Sequence, residues 1–254
     1  MIDLHCHVLP GIDDGPETLE GSVELARTAL AAGIDTLVAT PHVNARTPND
    51  AATIAALVER VNERLAAEEI ELEVLPGAEI AMTQLAEVEP VELERLGLGG
   101  GRWLLVEPPF TLVATGLQDL VLGLLRRGHG VVLAHPERCP ALHRDRRIVP
   151  ALADAGVLMS VTAGSLVGRF GGEVRRYALA LAREGLIHNV TSDAHDAIKR
   201  PPGLTEGLEQ AGLAPLADWL TRLVPEAILA DAPIPARPSA AGVGSPRRPW
   251  RLRR

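Results

Sequence analysis

Ile2-Asp3-Leu4-His5-Cys6-His7 is a short, mostly apolar run that ends on two histidines two residues apart. Successive side chains of a strand alternate between its faces, so this spacing puts His5 and His7 on one face and Cys6 on the other. Six more runs of apolar, β-forming residues follow, at 34–40, 72–79, 103–107, 131–135, 157–161 and 187–192. Between them the apolar residues take helical spacing. Examples are Leu19, Val23, Ala26 and Leu30; Ile54, Leu57, Val58, Val61 and Leu65; and Leu117, Leu120, Val121 and Leu124. Seven strands alternating with helices predict a parallel sheet with right-handed crossovers. No Gly-rich dinucleotide-binding turn follows the first run, and 254 residues suit a single-domain (β/α) barrel. The expected fold class is therefore α/β, with the strands closed into a barrel.

The ends of these runs carry the chemistry. His5 and His7 close the first, His42 follows the second, Glu79 closes the third, Glu107 the fourth and His135 the fifth, and Asp193 and His195 follow the seventh. In a parallel barrel the C-terminal strand ends share one rim, where catalytic residues gather. Taken singly, each has an ordinary explanation: a lone His-x-His is a weak motif, Glu79 could pair with an arginine, and His42 could cap the turn after Thr40-Pro41. Taken together, they would put costly polar groups at successive strand ends, which chains retain when those groups are paired or metal-bound. Asp14, in Ile12-Asp13-Asp14-Gly15-Pro16-Glu17, reads either as a ligand or as a helix N-cap with Glu17 completing the capping box, and Asp13 shares that ambiguity. His129, His143 and His188 lie away from the strand C-terminal ends and read as surface or packing residues.

Imidazole and carboxylate without thiolate suit manganese, iron or zinc in an open hydrolytic site. The candidates His5, His7, Asp14, His42, Glu79, Glu107, His135, Asp193 and His195 exceed what one ion takes. Two or three ions are expected, with Glu79 as a bridge, and closely spaced ions serve in-line phosphoryl displacement. Arg138, in His135-Pro136-Glu137-Arg138, and Arg200, in Lys199-Arg200-Pro201-Pro202, each stand shortly after a ligand-bearing strand end. A guanidinium fork can hold two phosphoryl oxygens. His42 and His195 are the candidates for relaying a proton to the leaving group through a water.

Bulk properties narrow the setting. The formal net charge is −8, and without the five arginines of residues 247–254 the remainder stands at −13. An acidic body argues against nucleic acid as a partner. Cys6 and Cys139 form no Cys-x-x-Cys pair, which points to a reducing, cytoplasmic setting. No export signal and no run of eighteen apolar residues is seen, so no integral membrane segment is expected. From Ala232 the composition shifts to Pro, Ala, Gly, Ser and Arg, which predicts a domain over 1–231 and a disordered tail over 232–254.

The same residues carry a resemblance. Met1-Ile-Asp-Leu-His5-Cys-His7, Asp13-Asp14-Gly-Pro, Thr-Pro-His42, Gly-Ala-Glu79-Ile, Glu107, His135-Pro-Glu-Arg138, Ser-Asp193-Ala-His195 and Arg200-Pro-Pro closely resemble the PHP (polymerase and histidinol phosphatase) superfamily. Within it the match is to the manganese-dependent protein-tyrosine phosphatases of bacterial capsule and exopolysaccharide clusters, in the right order over about residues 1–205. The resemblance implies a distorted seven-stranded barrel of the PHP type with three metals. One would be held by His5, His7, Glu79 and Asp193, a second by Glu79, Glu107 and His135, and a third by Asp14, His42 and His195. It further implies Mn2+, with iron, zinc or cobalt tolerated, Arg138 and Arg200 as phosphate-binding arginines, and as substrate the phosphotyrosines of a membrane-associated bacterial tyrosine kinase that controls polysaccharide export. Cys139 departs from the pattern, since relatives often carry an aromatic residue there.

Three rival readings follow from the same residues. A cysteine-dependent phosphatase needs an arginine six residues after the thiolate, but Ile12 and Asp145 occupy those positions after Cys6 and Cys139. Histidinol-phosphate phosphatase shares the superfamily's metal chemistry, although Asp-Asp-Gly-Pro and Arg200-Pro-Pro resemble the tyrosine-phosphatase branch more. A non-catalytic, metal-bound regulatory module would be expected to show degraded ligands, and all nine are present. Oligomeric state is left open by the sequence.

Overall fold

The computed structural model describes residues 1–238. The opening run forms β1, Ile2–Cys6, buried along its whole length. The remaining strands are β2 Thr36–Ala39, β3 His42–Val43, β4 Glu73–Pro76, β5 Glu79–Ala81, β6 Trp103–Glu107, β7 Gly130–Ala134, β8 Leu158–Thr162 and β9 Asn189–Thr191. Every pairing between these strands is parallel. The order is β1-β2-β4 in one sheet and β3-β5-β6-β7-β8-β9 in the other. β7 and β8 are buried throughout, like β1, as expected of parallel strands covered on both faces.

Two of the seven expected strands are broken, and the break matters for function. The second expected strand stops at Ala39 and resumes as β3 after Thr40-Pro41; the third stops at Pro76 and resumes as β5 after Gly77-Ala78. Proline supplies no N–H to a ladder. At Gly77 a Cβ would lie 2.9 Å from Val38 Cγ1, so the chain can approach β2 this closely only without a side chain. Beyond the breaks, Glu79 N donates to Pro41 O at 3.1 Å, and β3 and β5 pair with His42 opposite Glu79. The kink therefore sets two expected ligands side by side.

The helical stripes fall where the spacing placed them. Leu19–Ala31 buries Val23 and Ala26, Ala51–Ala67 buries Ile54, Val58, Val61 and Leu65, and Leu117–Arg126 buries Leu117, Val121 and Leu124. The first of these helices is capped by Thr18, whose Oγ1 accepts from Gly21 N at 3.2 Å. The capping reading of Asp14 is thereby set aside, because the helix starts four residues later on a residue that already does that work.

β9 and β1 meet at a seam. Cys6 bridges in parallel to Ala194, His7 N donates to Ala194 O at 2.9 Å, and Asp193 N donates to His5 O at 3.0 Å. Asp3 is fully buried there and accepts from Ser192 N at 3.1 Å and His5 N at 3.3 Å. Burial pushes its carboxyl up to about 6 despite these donors. At the other end of the strands, Asn189 Nδ2 donates to Leu220 O at 3.2 Å, in the π-helical turn Trp219–Leu223.

Residues 232–238 form neither helix nor strand, yet they lie against the body. Trp219 Nε1 donates to Pro235 O at 3.0 Å, and Ile234 packs on the core. Disorder from Ala232 therefore does not describe this segment, because Trp219 offers it a donor and an apolar surface. The rest of the expected tail, 239–254 with its arginines, lies outside the described residues. No helix among the described residues is long and apolar enough to cross a membrane.

Candidate metal centre

All nine expected ligands come together at the C-terminal strand ends, and the order in which they are anchored explains why. His5 and His7 project from the end of β1 and beyond it, with their Nε2 atoms 3.3 Å apart. His7 Nδ1 lies 2.7 Å from Asp13 Oδ2, and Asp13 also accepts from Gly15 N at 2.9 Å and His42 N at 3.1 Å. A carboxylate so fixed accepts from Nδ1–H and turns Nε2 toward the centre as the nitrogen that could ligate an ion. His195 is oriented in the same manner: Nδ1 lies 3.0 Å from Asp193 O while Nε2 lies 3.2 Å from Asp14 Oδ1.

Glu79 is the hub. Its side chain is 1% exposed and no arginine reaches it; instead His135 Nε2 stands 2.7 Å from Oε1, and Oε2 has His42 Nδ1 at 2.9 Å, His5 Nε2 at 3.3 Å and His7 Nε2 at 3.5 Å. The His42 approach lacks hydrogen-bond alignment, so both Glu79 Oε2 and His42 Nδ1 are buried without a hydrogen bond. A buried carboxylate oxygen ringed by imidazole nitrogens, none donating to it in good geometry, is costly unless a cation sits among them.

Electrostatics point the same way. Burial opposes ionisation of Glu79 and Asp193, but the surrounding histidines, His5 foremost, hold both carboxyls well below their usual range. Burial also opposes protonation of His7, yet Asp13, Asp193 and Glu79 together keep its pKa well above the ordinary histidine value. Glu107, by contrast, is driven up to about 7, first by burial and then by the charge of Glu79. Without metal, protons serve as the counter-charges; divalent ions would displace them.

Ligand atoms form four overlapping groups, each with its atoms within 4.8 Å of one another: His7, Asp14, His42 and His195; His5, His7 and Asp193; His5, Glu79 and His135; and His42, Glu79 and Glu107. The donor set and the unpartnered oxygen thus fit a multi-ion cluster. Glu107 groups with His42 and Glu79, and its Oε1 lies 3.9 Å from His135 Nε2. His135 (φ 30°) and Asp193 (φ 52°) occupy left-handed backbone conformations just past β7 and β9. Such positions cost of order 1–3 kcal/mol each and concentrate at functional sites.

The two arginines converge on Asp193. Arg138 Nη1 donates to Asp193 Oδ2, and Arg200 Nη2 donates to the same oxygen at 2.8 Å and to Asp193 O at 3.1 Å. Neither pairs with the acidic residue of its own segment, Glu137 or Asp196. Glu137 is buried and engaged with Ser165 Oγ at 2.7 Å and Thr162 N at 3.0 Å, and Asp196 accepts from Ile198 N at 2.7 Å and Lys199 N at 2.5 Å. The Arg138 guanidinium lies 5.2 Å from the Phe110 ring and 4.4 Å from the Phe170 ring.

With this arrangement in view, known proteins resolve its kinship. The family model for capsular polysaccharide synthesis, CpsB/CapC, matches residues 1–212. The chain belongs to the CpsB/CapC family. Within that family it is 37% identical over 201 residues, 79% of each chain, to the tyrosine-protein phosphatase YwqE of Bacillus subtilis. It is 29% identical over 222 residues to the tyrosine-protein phosphatase CpsB of Streptococcus pneumoniae, covering 82% of this chain and 88% of the relative. A solved structure from a study of YwqE and CpsB, described as unique metal-dependent tyrosine phosphatases, superposes with a TM-score of 0.82 at 34% identity, covering 92% of this chain and 96% of the other.

In this CpsB/CapC chain Asp13, which the sequence left ambiguous, and the two cysteines can now be placed. Asp13 is the orienting carboxylate for His7. Asp13→Asn is expected to weaken metal affinity by about 10–100-fold while leaving the fold intact, measured by competitive chelation with thermal melting as a control; unchanged affinity would remove Asp13 from the centre. Cys139 is buried with Sγ donating to Pro109 O at 3.2 Å, and burial pushes its thiol up. Cys6 is buried too, its thiol held well above the usual range. Neither is a thiolate nucleophile. Cys139→Ser, which can still donate to Pro109 O, is expected to keep turnover within about threefold of wild type; abolished turnover with normal fold and metal content would contradict this.

Proposed function

We propose that this protein is a metal-dependent protein-tyrosine phosphatase that removes phosphate from a membrane-associated bacterial tyrosine kinase governing capsular or exopolysaccharide synthesis and export. The observation that carries the reading is the convergence of five histidines and four carboxylates around the unpartnered Glu79 Oε2, with two arginines joined at its edge. The names of YwqE and CpsB support the substrate class, and the CpsB/CapC family the cellular process. We take residues 1–231 as the metallophosphatase domain. We read the two sheets, joined through the β2/β3 and β4/β5 breaks and through the Cys6–Ala194 bridge, as one distorted seven-stranded barrel.

The resident ions are proposed to be Mn2+, two or three per chain, held by His5, His7, Asp14, His42, Glu79, Glu107, His135, Asp193 and His195. Ions in such a cluster lower the pKa of water and neutralise charge on a phosphoryl group. The chain's own groups do the rest. Arg138 and Arg200, gathered by Asp193, are placed to share the equatorial phosphoryl oxygens, where charge develops in the transition state. Asp13 and the Asp193 carbonyl hold His7 and His195 in one tautomer. A phenol, with a pKa of about 10, leaves more readily than an alkyl alcohol, so a water oriented by His42 or His195 suffices to protonate it.

The substrate class is tested by steady-state kinetics of one preparation on a phosphotyrosine peptide and on histidinol phosphate. A higher kcat/KM for the peptide is expected. Preference for histidinol phosphate would keep the cluster and overturn the substrate.

A further inference from the structure

Beside Arg138 the surface opens into two adjoining hollows. One, of about 410 Å³, is lined by Leu112, Arg138, Pro140, Arg144 and Glu173 among others. The second, of about 910 Å³, runs on past Val113, Arg144, Arg146 and Arg147. They share Leu112, His143 and Arg144, so together they make one trough that begins at a guanidinium of the phosphate site. Its walls are the 109–115 loop after β6 and the 139–148 segment after β7. Cys139 Sγ to Pro109 O at 3.2 Å and Ala141 N to Thr111 O at 3.1 Å tie these walls together.

The two walls differ in chemistry. The loop presents Phe110, Leu112 and Val113 to solvent, 50%, 66% and 62% exposed, in a chain with few exposed large apolar side chains. The facing wall is basic: Arg144-Asp145-Arg146-Arg147 carries three guanidinium groups and one carboxylate. Asp145 is engaged by Arg147 through Nε at 2.8 Å and Nη2 at 2.7 Å. Arg146 lies 5.2 Å from the Tyr177 ring, and among the described residues Arg144 has no ion-pair or hydrogen-bond partner. Glu173, the carboxylate of the inner stretch, stands 3.8 Å from His143 Nδ1. A protein of net charge −8 thus keeps a cationic trough leading out of its anion site, which attracts and orients a negatively charged chain against the repulsion of the rest of the surface.

We propose that this trough docks acidic residues flanking the phosphotyrosine in the substrate polypeptide, with Arg144 and Arg146 meeting their carboxylates and Leu112 and Val113 covering the apolar parts of the bound segment. The proposal rests on the phosphotyrosine reading and adds a preference that the reading does not contain. Each exposed charge pair contributes little, so a double charge reversal is the informative variant.

The test compares kcat/KM for two phosphotyrosine peptides, one flanked by glutamates and one by alanines, for the manganese-loaded full chain and for Arg144→Glu/Arg146→Glu. Turnover of para-nitrophenyl phosphate, too small to reach the trough, reports that the variant's centre is intact. The wild type is expected to favour the acidic peptide, less so as salt is raised, and the ratio of the two kcat/KM values is expected to fall about tenfold in the variant. A wild-type ratio near one, or a ratio the variant does not move, would overturn the docking proposal alone. Hydrolysis of para-nitrophenyl phosphate with no turnover of either phosphopeptide would overturn the docking proposal and the phosphotyrosine reading together.

Discussion

Glu79→Gln is expected to lower kcat on an aryl phosphate by about 10³-fold and to leave the protein with fewer bound ions than wild type. The substitution keeps the shape of the side chain and one carbonyl oxygen but removes the only carboxylate, among the described residues, that stands within 3.5 Å of four imidazole nitrogens, those of His5, His7, His42 and His135. Glu79 takes part in two of the four ligand groups, so its charge is shared between positions that no neighbouring side chain can supply. Steady-state kinetics paired with metal analysis of the same sample decides the matter. A loss below tenfold with full metal content would show that Glu79 is a packing residue.

Arg138→Ala is expected to cost about 10²–10³-fold in kcat, with metal content unchanged. Its guanidinium is held on one side by Asp193 and flanked by the rings of Phe110 and Phe170, so it reaches the edge of the ion cluster already oriented. Arg138→Lys should recover little of the loss, because an ammonium lacks the planar fork that matches two phosphoryl oxygens and does not stack between two rings in the same way. Arg200, more exposed and donating to the same Asp193 oxygen, is expected to show a smaller effect. If the lysine variant were fully active, Arg138 would be acting as a diffuse positive charge. If the alanine variant were, it would have no part in the reaction.

Eight of the nine candidate ligand positions were legible in the sequence because residue type and strand-end placement coincided, and a parallel α/β fold leaves strand C-terminal ends on one rim; Asp14 was added by the resemblance. The finer arrangement of the nine was not legible. The pairing of His42 with Glu79 depends on chain breaks at Pro41 and at Pro76-Gly77, and on a register set by tertiary contact 37 positions apart in sequence. Asp14's choice between cap and ligand was undecidable locally; Thr18, which takes the cap, removes the first of the two readings. Asp13 looked like Asp14's equal, and only the folded loop shows that it faces His7 Nδ1 while Asp14 faces His195. Asp3 was missed although it lies in the opening run beside the two histidines, because the register shift between Asp3 and Cys6 breaks the alternation that would tie it to their face. The left-handed conformations at His135 and Asp193 and the arginine trough have no comparable pattern in the chain. They arise from how strand ends turn and how two loops, separate in sequence, lie side by side.

We propose that these nine side chains hold the ions on which hydrolysis depends. This is tested most directly by stripping the protein with a chelator, measuring phosphotyrosine-peptide turnover, and then titrating manganese back while counting bound ions. Turnover should vanish in the stripped protein and return in step with the binding of two to three Mn2+ per chain. Full turnover by protein shown to be free of metal would contradict the account.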